Sequence, residues 1–152
     1  QILGKQHACT TDQEVLAGSK HFSHHTAIQL QKETGWDHEV VKHLVSKYGD
    51  AAFTMVPYLH HDASMADRLL PGMPYTYAEL RYVVDHEMAC TVKDVISRRW
   101  GTQLANWQQA MALIPAVGQW MTHHFQWNAA QQEQYIHQYL RELQQMAGAI
   151  HQ

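Results

Sequence analysis

Glu87, Thr91, Asp94 and Arg98 fall at steps of four, three and four residues within the stretch "DHEMACTVKDVISRRW", residues 85–100. At about 100° of rotation per residue, that spacing places all four on one face of a helix. Leu80, Val83, Val84, Met88 and Val95 lie on or beside the same face. Charged groups set into an apolar stripe restrict the fold strongly, because a buried ion without a partner is strongly destabilising. Thr76, followed three residues later by Glu79, has the reciprocal capping-box pattern that starts a helix. The sequence therefore predicts one helix from 77 to about 99, ended by Gly101.

The remainder of the chain reads as helix punctuated by Gly and Pro, with little of the alternation that marks strands. A helix is predicted over about 23–33, stopped by Gly35. Asp37 can cap "HEVVKHLVSKYG", in which Val40, Val41, Leu44 and Val45 form one stripe and Gly49 a C-terminal stop. Asp50 can start a further helix that Pro57 kinks or shortens, and "LLPGMPYTY" is the clearest loop. Asn106 can cap "WQQAMALI", with Pro115 breaking the pattern or opening a new turn. Asn128 caps a final helix to about 147, whose stripe is Ile136, Tyr139, Leu140, Leu143 and Met146. The fold class that follows is all-α, a compact multi-helix domain over 21–152 behind an irregular polar linker at 1–20. A chain of 152 residues with 45% hydrophobic content suffices for one core and falls short of two.

Charge narrows the function classes. Eleven basic and fourteen acidic residues give a formal charge of −3, with no dense Lys/Arg cluster, so neither nucleic acid nor an anionic membrane surface is an expected partner. No apolar run approaches the roughly 18 residues of a transmembrane helix. No basic start followed by an apolar segment suggests a signal peptide, and a sequence opening at Gln1 is expected to be part of a longer one. Cys9 and Cys90 lie far apart without CxxC spacing, which suits a reduced compartment and offers no obvious nucleophile.

Thirteen histidines make metal binding worth weighing. Of "HFSHH", "HHD" and "THH", only His21 with His24 or His25 has the three- or four-residue spacing that brings two ligands to one helix face. The adjacent pairs His60/His61 and His123/His124 diverge by about 100°. No cluster adds a carboxylate in the manner of HExxH, so the expected metal site is none. Glu87 and Asp94 are two turns apart, roughly 10 Å along a helix, too far to share a proton in acid/base catalysis. A polar network fits better: Asp94 and Arg98 stand in the favourable i, i+4 order, and Thr91 can bond to backbone or bridge to Glu87. A contact surface for another domain is the third reading. Trp100, Trp107, Trp120 and Trp127 suit either a core or an interface.

The segments "AELRYVVDHEMACTVKDVISRRW" and "AVGQWMTHHFQW" together resemble the C-terminal helical domain of FAD-dependent glycerol-3-phosphate dehydrogenases, including the mitochondrial type. Glu79, Tyr82, Glu87, Ala89, Thr91, Asp94, Arg98 and Arg99 match the family's E-x-x-Y-x-x-x-x-E-x-A-x-T-x-x-D-x-x-x-R-R pattern. "HLVSKYGDAA" is similar to its L-x-x-x-Y-G-x-x-A, and "ACTT" near Cys9 resembles the segment leading out of the flavin domain. The resemblance spans nearly the whole chain. Trp100 and Gly101 stand where the family usually has Thr and Arg, so contacts of those two side chains do not carry over.

The resemblance implies a parent enzyme that oxidises sn-glycerol 3-phosphate to dihydroxyacetone phosphate, passing electrons through FAD to quinone or oxygen. FAD needs a G-x-G-x-x-G between a strand and a helix, and this chain has neither that motif nor a βαβ pattern to host it. FAD is thus expected in a preceding domain, with no catalytic or cofactor-binding residue here. Residues 1–20 become the linker from that domain, and 21–152 a C-terminal cap packing on it, with homodimer contacts a further partner class. Glu87, Thr91, Asp94, Arg98 and Arg99 become a structural or interdomain polar network. The implied location is the cytoplasm or the inner face of the cytoplasmic membrane. The competing reading is a free-standing, His-rich helical binding module that takes a metal.

Overall fold

Helix α2, His38–Tyr48, begins where Asp37 accepts the free N–H groups of Glu39 and Val40 at 3.0 and 3.1 Å. Its buried stripe is Val40, Val41, Leu44 and Tyr48, and Leu30, Trp36 and Ala52 of the same stretch are buried as well. Helix α1, Thr26–Thr34, precedes it and stops at Gly35, whose φ of +71° is the left-handed turn glycine accommodates best. These elements belong to the first of two compact units, Gln1–Thr54 and Met55–Gln152. The computed structural model describes residue 11 and residues 13–150, and "ACTT" with Cys9 lies outside the described residues except for Thr11.

Within the first unit, two backbone segments touch at Gly18 and Gly49. The Asp50 N–H donates to the Gly18 carbonyl at 2.9 Å. A Cβ on Gly49 would stand 1.9 Å from the Gly18 oxygen, and one on Gly18 would stand 2.1 Å from the Tyr48 oxygen. Both residues have positive φ, so only glycine fits on either side. Asp50 does not open an α-helix: Gly49–Met55 winds as a 3-10 helix leading into α3, Val56–His61. Pro57 sits in the first turn of α3, where the missing N–H has no intrahelical partner to lose.

The second unit is the larger. Thr76 accepts the Glu79 N–H at 3.2 Å and starts α4, Tyr77–Glu87, after the "LLPGMPYTY" loop. The expected single helix over 77–99 is in fact broken. Met88 takes φ 55° and ψ 36°, a left-handed stop, and the Ala89 N–H closes back on the Val83 carbonyl at 3.1 Å. Helix resumes beyond Thr91 and loosens into a π-helical turn, Asp94–Arg99, in which the Trp100 N–H reaches the Val95 carbonyl at 2.8 Å. Short α5, Thr102–Ala105, follows Gly101. Asn106 then caps α6, Trp107–Phe125.

Pro115 breaks nothing: α6 runs through it. The lost hydrogen bond and ring clash normally cost about 3 kcal/mol. Here Leu113, Ile114, Val117, Gly118 and Met121 are all buried along the same helix, and tertiary burial outweighs that cost. Asn128 and Gln131 form a reciprocal capping box on α7, Ala129–Gln132. A second π-helical turn, Glu133–His137, passes into α8, Gln138–Ile150. Tyr139 and Leu143 are buried, while Met146 is 44% exposed and Ala147 takes the inward place.

Leu69, Leu80, Val83, Val92, Val95, Ile96, Leu113, Ile114, Val117 and Leu143 form the centre of this unit's core. The chain is all-α: among the described residues there is no β-strand, and an isolated antiparallel bridge pairs Arg68 with Thr76. No helix among them is long and apolar enough to cross a membrane.

Candidate functional site

The break at Met88 explains why charges sit in the apolar stripe. Thr91 and Asp94 form a reciprocal cap on the helix that restarts there. The Thr91 hydroxyl accepts the Asp94 N–H at 3.1 Å and donates to Asp94 Oδ2 at 2.8 Å. That carboxylate oxygen also takes the N–H groups of Thr91, at 2.9 Å, and Cys90, at 3.2 Å. Asp94 Oδ1 pairs with the Arg98 guanidinium. Burial alone would push the Asp94 carboxyl up; the Thr91 hydroxyl, Arg98 and the Cys90 N–H outweigh it and hold the group below the usual carboxylate range.

Arg99 closes the other side of the break. Its Nε donates to the Glu87 carbonyl at 2.7 Å, satisfying an orphan acceptor at the end of α4, and stands 3.9 Å from the Glu87 carboxylate. The structure thus gathers the five candidate residues around the break: Asp94 pairs with Arg98 and Thr91 bonds to backbone as the spacing suggested, while Glu87 is met by Arg99 instead of Thr91. The Thr91 hydroxyl is engaged with Asp94, on the far side of the break from Glu87. Four of the five are committed to the turn itself. Arg98 is different, because its side chain is 62% exposed.

Two features escaped the sequence reading. Lys93 donates to Glu142 at 2.7 Å, tying the restarted helix to α8, and lies 5.8 Å from the Tyr139 ring centre. The Tyr58 hydroxyl donates to Asp85 at 3.0 Å, joining α3 to α4, while the Arg81 guanidinium lies 5.0 Å from the Tyr58 ring centre. Partial burial and Asp85 push the Tyr58 phenol up to about 12. Both pairs are distant in sequence, so no local pattern announces them. For the break a signal existed: T-x-x-D at 91–94 is itself an N-cap spacing.

Other candidates stay apart. His21, His24, His25, His60, His61, His123 and His124 are exposed, and His124 stacks on Trp120 at 4.8 Å. Among the described residues no group of three or more His, Cys, Asp or Glu side chains is placed to hold a metal. Trp100 and Trp127 belong to the core, Trp100 stacked on Tyr75 at 4.4 Å. FAD does not fit the described residues either. They contain no strand running into a Gly-rich turn, the element that builds a pyrophosphate cradle.

Fold and site together define an all-α domain whose principal charged cluster is engaged with its own backbone. Comparison with known proteins carries this further. Residues 9–132 match the model of the C-terminal domain of alpha-glycerophosphate oxidase, and the chain belongs to that family. It is 32% identical over 134 residues to the probable mitochondrial glycerol-3-phosphate dehydrogenase of Caenorhabditis elegans, covering 86% of this chain and 18% of that protein. It is also 32% identical over 123 residues to the mitochondrial glycerol-3-phosphate dehydrogenase of Bos taurus, covering 78% and 17% respectively. The human mitochondrial enzyme matches at 32% over 117 residues, covering 74% and 16%. The chain therefore spans less than a fifth of the length of these relatives. No solved structure gives a significant match.

Proposed function

We propose that this chain is the non-catalytic C-terminal domain of an FAD-dependent enzyme that oxidises sn-glycerol 3-phosphate to dihydroxyacetone phosphate. The observation that carries the reading is the match to mitochondrial glycerol-3-phosphate dehydrogenases over most of this chain. The geometry is compatible with it: the charged cluster sets a helix break, and the described residues lack a dinucleotide fold. In this proposal FAD and substrate belong to a preceding domain of the same polypeptide, and electrons leave to quinone or oxygen. The cap packs on that domain and contributes to subunit contacts. Its place is in the cytoplasm or at the inner face of the cytoplasmic membrane, as a peripheral component.

Two measurements test this. The purified 152-residue chain should be colourless, without the flavin band near ~450 nm, and should not reduce a dye acceptor in the presence of glycerol 3-phosphate; a yellow, active preparation would refute the assignment. Reading the gene upstream of the Gln1 codon should reveal an open frame encoding a strand, a G-x-G-x-x-G and a helix. A nearby start codon without them would favour the free-standing module, to be tested by calorimetric titration with zinc.

A further inference from the structure

Residues 100–132 contain no Asp, Glu, Lys or Arg, although those types make up 16% of the chain. Helix α6 lies wholly inside this stretch. Its inner face serves the core through Leu113, Ile114, Val117, Gly118 and Met121. Its outer face is a single row, Gln108, Ala112, Pro115, Gln119 and His123, spaced four, three, four and four apart and exposed at every position. The outer face of a surface helix ordinarily carries its charged residues. Nothing inside the domain requires their absence here, because the row is exposed.

A groove of about 340 Å³ lies beside the row. Pro115 and Gln119 belong to both, and Ile136, His137 and Leu140, from the second π-helical turn and α8, line the groove across from them. Ile136 closes over Gly118, where a Cβ would stand 2.9 Å from its Cδ1. None of the residues lining the groove is Asp, Glu, Lys or Arg. The next charges along the chain, Glu133 and Arg141, pair with each other at 2.8 Å, so they add no net charge beside it.

Depletion of charge is what sets the centre of a protein–protein interface apart from the rest of a surface. Two-fold pairing adds its own condition: near the axis each group meets its equivalent, so a charged patch would repel itself there. For a chain with a formal charge of −3, a neutral face is where a second copy meets least repulsion. Gln side chains both donate and accept hydrogen bonds, so they can pair with their equivalents, whereas in lipid they would be left without partners. We infer that the α6 row and its groove are the contact surface for a second copy of this chain, the row of each copy seated in the groove of the other. Ridge and groove lie side by side, so one two-fold axis makes both contacts at once. The 19-residue helix is roughly 28 Å long. A strip of that length, about 20 Å wide, buries on the order of 500–600 Å² per copy, short of the ~800 Å² of a standard interface. The dimer is therefore weak, with a Kd of about 10–100 μM. This contact rests on the proposed reading only in giving its subunit contact a place.

The test is sedimentation velocity of the 152-residue chain from about 5 to 300 μM, over which it should pass from monomer to dimer with that Kd. Gln119→Glu and Gln119→Lys, at an exposed residue, should each keep the wild-type circular dichroism and Tm. Each should weaken self-association at least about tenfold, because like charges are brought together at the axis. An equimolar mixture of the two variants should associate again at near wild-type strength, a recovery that damage to the fold would not allow. Gln145→Glu, the same charge change at an exposed α8 residue outside the groove lining, should leave dimerisation unchanged. A chain that stays monomeric throughout, wild-type association in both Gln119 variants, or no recovery in the mixture would each overturn the assignment. The first of these would leave the face to another partner, such as a preceding domain. A colourless, inactive monomer with a flavin-binding frame upstream would refute the dimer and keep the enzyme reading, so the two failures are told apart.

Discussion

Replacing Asp94 with Ala removes the acceptor on which the helix restart depends. Three donors lose it together: the Cys90 N–H, the Thr91 N–H and the Thr91 hydroxyl. Loss of an N-cap interaction costs about 1 kcal/mol. Leaving the remaining partly buried donors unsatisfied adds about 1–2 kcal/mol. The Arg98 pair contributes only a few tenths, roughly 0.5 kcal/mol, because Arg98 is exposed and screened by solvent. The expected loss is thus about 2–3 kcal/mol, a fall in Tm of about 4–12 °C for a chain of this size. Urea and thermal unfolding followed by circular dichroism at ~222 nm measure it. The pH dependence supplies a second check. Asp94 is held below its ordinary pKa, so its stabilisation is present above the unfolded carboxyl value of 3.8 and is lost as pH falls through the lower folded value. The difference between wild type and Asp94→Ala should therefore be constant near neutrality and shrink only in acid. A loss below about 0.5 kcal/mol at pH 7, typical of a surface substitution, would show that the break is held by core packing and that the cap is incidental.

Met88→Gly should raise stability by about 1 kcal/mol, because an 80% exposed Met occupies a left-handed position that costs L-residues that much; an unchanged or lower Tm would count against strain there. Gly49→Ala should cost more than about 3 kcal/mol, since its Cβ would meet the Gly18 backbone oxygen, whereas Gly118→Ala meets the flexible end of Ile136 at 2.9 Å and should cost about 1–2 kcal/mol. Equal losses in the two variants would contradict the close backbone approach. Burial, with Glu142 nearby, pushes the Tyr139 phenol up to about 12. As the unfolded phenol ionises near pH ~10, stability should decline from about pH 10 to about 12, and Tyr139→Phe should flatten that decline in a urea-unfolding series.

The caps were legible because they are local chemistry. Asp37, Thr76, Asn106 and Asn128 each accept the N–H groups that their spacing promised, and Gly35 and Gly101 take the left-handed turns expected of helix stops. Such interactions span three or four residues, and the sequence alone suffices to place them. The cluster at 87–99 was legible as a set but misread in its geometry. Helical spacing and a T-x-x-D cap both fit residues 87–94, and periodicity alone does not choose between a continuous face and a restart.

What chose was packing. Ala89, Val92, Val95 and Ile96 are all buried, an inward arrangement reached here by the stop at Met88 and the widened turn beyond it. Pro115 and Met146 follow the same logic: helix continues through the first, and the second turns outward beyond the π-helical turn at Glu133–His137. Sequence by itself determined the helical class, the capped starts at Asp37, Thr76, Asn106 and Asn128, the glycine stops at Gly35 and Gly49, and the family. Tertiary structure decided where the helix breaks and that Lys93 meets Glu142 and Tyr58 meets Asp85, because those depend on burial across segments tens of residues apart, and burial outweighs local propensity by several kcal/mol.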